Sequence, residues 1–243
     1  AIKYLALVAG GDGRVALNAL EVAAMTTQRG DDGIIKLTME AVETAIQHKT
    51  PQYDKSGDGH YDAISALHKS VRDSDPDGAL YWLARMIIAG DDPMYIARRV
   101  IRMAVEDIGM ADPYALTLTT SAQQAVHFVG QPEGDLALAH AAVYLATAPK
   151  SNAVYTAFAK ARQDAEQTSH EPVPIHLRNA PTKLMKKMGH GKDYKYAHDY
   201  DDAVVDQTHL PESIRAHRYY EPTNRGREEK IRVWLEKIRS GKP

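Results

Sequence analysis

The chain has 243 residues, 44% hydrophobic and 26% charged, with a formal net charge of −2 at pH 7. That is enough apolar content for one or two packed domains, and it lacks the global positive charge that draws nucleic acid or anionic membrane indiscriminately. There is no cysteine, which excludes disulfides and thiolate chemistry. With no apolar run near ~18 residues and no signal-like start, the expectation is a cytoplasmic protein that does not contact membrane. Two Phe and two Trp stand against thirteen Tyr, so the cores are expected to be built from Ala, Leu, Ile, Val and Met.

The chain opens on Ala1, and Ile2, Leu5 and Val8 look like the end of an amphipathic helix, as in a fragment of a longer protein. Residues 1–48 read as a small helical unit. A first helix ends at Gly10-Gly11, and a second is capped by Asp12 with Leu17, Leu20 and Ala24 on one face. A third is capped by Thr38 with Val42 and Ile46 inward. Ile34 to Leu37 reads as a short extended link. The polar residues 47–59, with Thr50-Pro51 and Lys55-Ser56-Gly57-Asp58-Gly59, are loop chemistry and place a boundary ahead of a second domain, residues 60–243.

That second domain is organised by a repeated start and stop grammar. Asp75-Pro76 opens a stretch that Gly90 closes, Asp92-Pro93 one that Gly109 closes, and Asp112-Pro113 one that Gly130 closes. Asp accepts hydrogen bonds from first-turn amides, Pro lacks an amide that would be unpaired there, and Gly takes the left-handed conformation past a helix end. Inside these brackets apolar residues recur at helical spacing: Leu80, Leu83 and Ile87 beside Trp82 and Met86, then Ile96, Val100 and Met103, then Leu116, Ala122 and Val126. The connections are a few residues long, so successive helices must pack as neighbours.

A further helix spans residues 132–148 through Leu136, Leu138 and Val143, and Ser151 and Asn152 can cap the next, which runs through Val154 and Phe158 to about Gln167. Pro172, Pro174 and Pro181 then break helical order, leaving a short helix over residues 182–188 that ends at Gly189. Residues 190–222 are rich in Tyr, His and Asp and read as an irregular wrap with at most a minor hairpin. An amphipathic helix closes the chain, with Ile231, Trp234, Leu235 and Ile238 on one face. The fold class is all-α: short antiparallel helices stacked in a bundle-like array, with an irregular Tyr/His-rich segment near the C-terminus.

Familiar chemistries find little support. Gly189-His190-Gly191-Lys192-Asp193 lacks the spacing and hydroxyl of a phosphate-binding loop. The late histidines His190, His198, His209 and His217 have no regular ligand spacing, so structural or surface roles are expected and no metal. No nucleophile elbow surrounds any Ser, which leaves a hydrolase using the late His and Asp residues as a weak reading. Two features carry more. Arg14, two residues after the cap Asp12, stands where an arginine could reach a nucleotide phosphate, although an ordinary exposed first-turn Arg looks the same. The run Arg178, Lys183, Lys186, Lys187, Lys192 and Lys195, set against Asp193 and Asp199 and interleaved with Tyr194 and Tyr196, could contact DNA phosphates or be a solvated basic face.

Longer runs are more specific. They are His60-Tyr61-Asp62-Ala63-Ile64-Ser65-Ala66-Leu67-His68-Lys69-Ser70, Asp75-Pro76-Asp77-Gly78-Ala79-Leu80-Tyr81-Trp82-Leu83-Ala84-Arg85-Met86, Glu106-Asp107-Ile108-Gly109, Ala148-Pro149-Lys150-Ser151-Asn152-Ala153-Val154-Tyr155, and His176-Leu177-Arg178-Asn179-Ala180-Pro181-Thr182-Lys183-Leu184-Met185. Through these runs the chain resembles the C-terminal half of the MgsA/RarA group of AAA+ ATPases, which includes the Werner-helicase-interacting protein of eukaryotes. Gly11-Asp12-Gly13-Arg14-Val15-Ala16-Leu17-Asn18 resembles the helical-lid segment that carries the sensor 2 arginine, which turns Arg14 into a candidate cofactor-binding residue of the full-length protein.

The resemblance implies a family that acts at stalled or damaged replication forks, binds DNA and single-strand-binding protein, and assembles as a homotetramer through a helical domain like the clamp-loader collar. Residues 1–48 would then be the end of the ATPase lid. ATP and magnesium would belong to the full-length protein, with no cofactor and no catalysis in this fragment, because the P-loop, Walker B, sensor 1 and arginine finger have no counterpart here. The cell location implied is cytoplasmic and nucleoid-associated. The first reading is an oligomerisation module, joined through helices between about Leu80 and Phe158, of an ATPase of DNA replication, recombination and repair. The alternative is a free-standing helical scaffold that binds a protein partner.

Overall fold

The Asp-Pro brackets form as the local chemistry dictates. Asp75 Oδ1 accepts from the Gly78 amide at 2.9 Å, Asp92 Oδ1 from Met94 at 2.9 Å and Asp112 Oδ1 from Tyr114 at 3.1 Å. Gly90, Gly109 and Gly130 close the three stretches at positive φ, where a Cβ would be strained. The computed structural model describes residues 1–8, 13–30, 33–47 and 58–241, without the side chains of residues 7, 8, 14, 15, 46, 47, 58, 59 and 201. The expected Gly10-Gly11 stop, the Asp12 cap, the packing of Ile46 and most of the polar link at 47–59 lie outside the described residues. Asp58 and Gly59, expected in that link, open a helix instead.

The chain divides into two compact units, one of residues 1–62 with 88–91 and one of residues 63–87 with 92–243. In the first, α1 (Ile2–Val8), α2 (Gly13–Thr26) and α3 (Met39–Gln47) enclose a core of Leu5, Ala19, Ala23, Val42 and Ala45, with Leu20 and Leu37 packed against it. Thr38 caps α3, its hydroxyl accepting from the Ala41 amide at 3.2 Å. The inward face of α2 differs from the expected one: Ala19 and Ala23 are buried while Leu17 is exposed. Alanines at the contact let the helices approach closely, and the larger leucine is turned outward.

Helix α4 (Asp58–Arg72) runs from the first unit into the second, followed by α5 (Pro76–Ile88), α6 (Pro93–Met103), α7 (Tyr114–Val129), α8 (Asp135–Thr147) and α9 (Ala153–Gln167). Helices α6, α7 and α8 pack on one another around Ile96, Val100, Met103, Ala122, Val126, Leu138, Ala142 and Leu145, all buried. The expected core residues Leu80 and Leu116 are exposed, and Ala79 and Ala115, one position earlier on each helix, are buried in their place.

The stretch expected to run helically from Asp92 to Gly109 changes its winding. Regular α-helix ends at Met103, residues Ala104–Ile108 form a π turn, and the Gly109 amide donates to the Ala104 carbonyl. The wider turn leaves the Asp107 carbonyl to accept from the Ser151 amide at 2.7 Å, which gives the local irregularity a tertiary cause.

After α9 the chain forms an arm of turns around α10 (Lys183–Lys187), then α11 (Glu228–Arg239). The described residues contain no strand, so the possible hairpin is absent among them and residues 190–222 are an irregular wrap with 3₁₀ turns. On α11, Ile231, Leu235 and Ile238 are half-buried but Trp234, expected on the inward face, is 57% exposed. No helix of the described residues is long and apolar enough to cross a membrane.

Candidate functional site

The π turn presents two consecutive carboxylates to α4. Asp107 is buried, and its Oδ2 lies 2.6 Å from His68 Nε2 while its Oδ1 accepts from Arg72 Nε at 2.7 Å. With Asp107 ionised, the contact to His68 requires the proton on Nε2, so the 3.2 Å approach of Arg72 to that same nitrogen is packing and not a second bond. Glu106 accepts from Arg72 at 3.3 Å and from Arg102 at 2.7 Å. Burial pushes the Asp107 carboxyl up, but the bonds from His68 and Arg72 outweigh it and hold the group below the usual carboxylate range. The same bond raises Arg72 above its ordinary value. His68, Glu106 and Asp107 bring ligand atoms within 4.8 Å of one another, as a metal ion would need. The Arg72 guanidinium already supplies the positive charge between the two carboxylates.

A second junction lies on the other side of the π turn. Glu228, the first residue of α11, is 0% exposed, yet its carboxylate is fully engaged: Oε2 accepts from Ser151 Oγ at 2.7 Å, the Thr223 amide at 2.9 Å and Thr223 Oγ1 at 2.8 Å, and Oε1 from the Tyr220 hydroxyl at 2.9 Å. Burial pushes this carboxyl up and the four donors bring it below its ordinary value. Ser151 Oγ in turn accepts from the Ala153 amide at 3.2 Å, the capping bond for α9 expected of Ser151. Asn152 makes no such bond. The neighbouring Arg227 amide donates to the Ala111 carbonyl at 2.8 Å. Gly226 passes so close, at φ +55°, that a Cβ would run into that same carbonyl oxygen. Lys150 Nζ is consumed by the Ala146 and Ala148 carbonyls at 2.8 and 2.6 Å, and burial lowers its pKa. These buried charges are satisfied and hold elements together.

The surface features are of another kind. Lys183, Lys186 and Lys187 share α10, whose Thr182 cap accepts from the Met185 amide at 3.2 Å. With Lys192 beyond the Gly189 turn they are exposed, and none makes an ion pair among the described residues. The other two members of the basic run are engaged within the arm: Arg178 Nε donates to the Val173 carbonyl at 2.6 Å, and Lys195 Nζ to the Asp206 carbonyl at 3.0 Å, beside a paired exchange between the Lys195 backbone and Gln207. Tyr194 and Tyr196 are about half exposed, at 48% and 55%. The arm is fastened to α9 by Asp164, which accepts from His217 Nδ1 at 2.6 Å and the Tyr219 hydroxyl at 2.7 Å; these bonds lower its pKa. Arg14 belongs to the first turn of α2, and its side chain lies outside the description.

Sequence reasoning singled out the surface lysines and missed the junctions. Asp107 and Ser151 lie inside the short runs that carried the family resemblance. Glu228 had no signal beyond its place in the first turn of the last helix.

The family matches place this small helical unit, helical domain and arm in the C-terminal part of an AAA+ ATPase. Residues 73–239 match the family described as MgsA AAA+ ATPase C terminal, and residues 1–72 match the AAA C-terminal domain. The chain belongs to the MgsA AAA+ ATPase C-terminal family. It is 50% identical over 230 residues to replication-associated recombination protein A of Escherichia coli K12, covering 94% of this chain and 52% of that protein. It is 43% identical over 227 residues to the Bacillus subtilis protein of the same name, covering 93% and 54%, and 47% identical over 237 residues to ATPase WRNIP1 of Dictyostelium discoideum, covering 91% and 27%. The chain thus spans about half the length of the bacterial relatives it matches.

Proposed function

We propose that this chain is the assembly module of a replication-associated recombination ATPase, holding copies together as a homotetramer and presenting its arm to DNA. The observation that carries the reading is the distribution of apolar surface on the second unit. Its helices are well packed inside, yet Phe128 is 91% exposed, Leu136 76% and Phe158 71%. A patch of large apolar side chains in water on ordered helices marks a surface that a partner covers, and Phe128, Val129 and Leu136 are exposed together around the α7–α8 corner. Helix α8 is apolar almost all round and its own neighbours cover most of it, with Leu138, Ala141, Ala142, Leu145 and Ala146 buried and Ala137, Ala139 and Val143 half-buried, so that Leu136 is the apolar residue it leaves in water. Light scattering at micromolar concentration tests it: the expected mass is four times the 26.9 kDa of one chain, and a monomer overturns it.

In this reading ATP and magnesium are handled by the rest of the longer protein, with Arg14 contributing from the start of α2, and the chain alone is not an enzyme. DNA contact falls to Lys183, Lys186, Lys187 and Lys192. Arg178 and Lys195 keep the arm in shape. Single-strand-binding protein is a partner of the assembled protein, in a nucleoid-associated, cytoplasmic setting.

A further inference from the structure

A groove of about 870 Å³ separates the arm, at Val204 and Val205, from the end of α11, at Trp234 and Ile238. Its apolar side includes the Trp234 ring, which the fold leaves 57% exposed. Its arm wall carries an edge of backbone. Residues 204–209 run without helix, turn or bend. Just before them Asp202 and Ala203 are both left-handed, at φ 58° and 52°, and turn the chain into that course. In an extended run the amide and carbonyl of one residue point to one edge, and those of the next to the other. Asp206 uses its carbonyl to accept from Lys195 Nζ at 3.0 Å, which fixes its edge as the one facing Lys195. The opposite edge belongs to Val205 and Gln207. Their backbone amides and carbonyls bond to no described residue.

We propose that this groove takes an extended peptide segment of a partner protein, which pairs its backbone with Val205 and Gln207 and lays an apolar side chain on Trp234. The inference needs neither the self-association nor the DNA reading. An unpaired edge of extended chain is a template for a further strand, and main-chain bonds then supply affinity while pockets for alternate side chains supply choice. Only a backbone ligand answers a row of free amides and carbonyls. A nucleic acid fits less well, because the lining charges are balanced, Asp202 and Asp206 against Lys237 and Arg239. Lys237 Nζ lies 3.8 Å from Asp202, and Arg239 donates to the Tyr220 carbonyl at 3.2 Å. The groove also takes in Ser240 and Gly241 at the C-terminal end of α11, the negative end of a helix dipole. A phosphate chain would meet no net attraction there.

The test selects a displayed library of random peptides on the whole chain, with the Trp234→Ala chain as the counter-selection. One enriched peptide is then synthesised in three forms: unmodified, N-methylated at its odd residues, and N-methylated at its even residues. Binding is read from Trp234 fluorescence and by calorimetry. The expected peptides carry apolar residues at alternate positions. One methylated form should lose binding and the other keep it, because a paired strand presents every second amide to its neighbour. Trp234→Ala and Val205→Pro, which removes an edge amide, should each weaken the unmodified peptide by about tenfold, with folding checked by circular dichroism. No enrichment over Trp234→Ala overturns the proposal. So do equal effects of the two methylation patterns, which would mean a helical or side-chain-only ligand. Displacement of the peptide by oligothymidylate also overturns it and makes the groove a nucleic-acid site.

Discussion

Ser151 donates through Oγ to the carboxylate of Glu228 at 2.7 Å, both residues buried and 77 positions apart in the chain. This bond joins the start of α9 to the start of α11, and Gly226 brings the backbone close enough for it to form. Replacing Glu228 with Ala strands the donors of Ser151, Thr223 and Tyr220 in a dry site and should cost about 2–4 kcal/mol. Glu228→Gln keeps the shape and loses the charge, and should cost roughly half as much. Urea unfolding followed by tryptophan fluorescence checks both, since Trp234 lies on α11; an unchanged midpoint for Glu228→Ala would show the junction to be dispensable.

Acid should weaken the same regions. Asp107 and Glu228 both have carboxyls held below their ordinary values in the folded chain. A depressed folded pKa means that the unfolded chain takes up the proton first. The stabilisation is therefore complete above the ordinary carboxyl values near ~4 and is lost as pH falls through the lower folded values. Unfolding free energy measured from pH 6 downward should decline below about pH 4. Asp107→Asn should be less stable at pH 7 and show a shallower decline; an acid limb as steep as wild type contradicts the assignment.

For DNA, Lys183, Lys186 and Lys187 replaced together by Glu should weaken binding and lower its dependence on salt, each lost phosphate contact removing roughly 0.7 to 0.9 from the log-log slope. The assembly should persist, because these side chains make no ion pair among the described residues. Affinity and slope both unchanged would reduce α10 to a solvated face. Lys195→Ala is a different experiment: it removes a bond to the Asp206 carbonyl and should loosen the arm, seen as faster amide exchange around Gln207.

Nucleotide should bind this chain poorly. A single solvent-exposed arginine on phosphate is worth at most ~1 kcal/mol, against the roughly 8 kcal/mol of micromolar affinity. Titration calorimetry of the chain with magnesium and ATP should show no micromolar binding. In the full-length protein Arg14→Ala should depress ATP turnover without shifting the melting temperature, and full turnover in that variant would overturn the assignment of Arg14 to the nucleotide.

The helix starts were legible because a cap is a transaction within one turn. Asp75, Asp92 and Asp112 each bond an amide two or three residues ahead, and no distant part of the chain is needed to specify it. The same holds for Thr38 on α3 and Thr182 on α10. Apolar periodicity located the helices and only partly their inward faces. Ile96, Val100 and Met103 are buried as expected, whereas Leu17, Leu80, Leu116 and Trp234 are not. A stripe of leucine and alanine is apolar on both of its edges, and which edge turns inward is set by the helix that packs there.

An all-α chain, the capped starts at Asp75, Asp92 and Asp112, a basic α10, and the family, through runs spread along nearly the whole length, were all legible in the residues. That Asp107 is shared by His68 and Arg72, that a π turn frees its carbonyl for Ser151, and that a glutamate at position 228 is buried came from the packing of distant segments. The physical reason is range. Caps and turns are settled by atoms a few bonds apart, while a buried carboxylate is tolerable only where several donors from distant segments converge on it. The division of the arm's basic residues into exposed lysines and engaged Arg178 and Lys195 has the same origin, since all six carry the same charge in the sequence and differ only in which carbonyl the folded chain brings within reach.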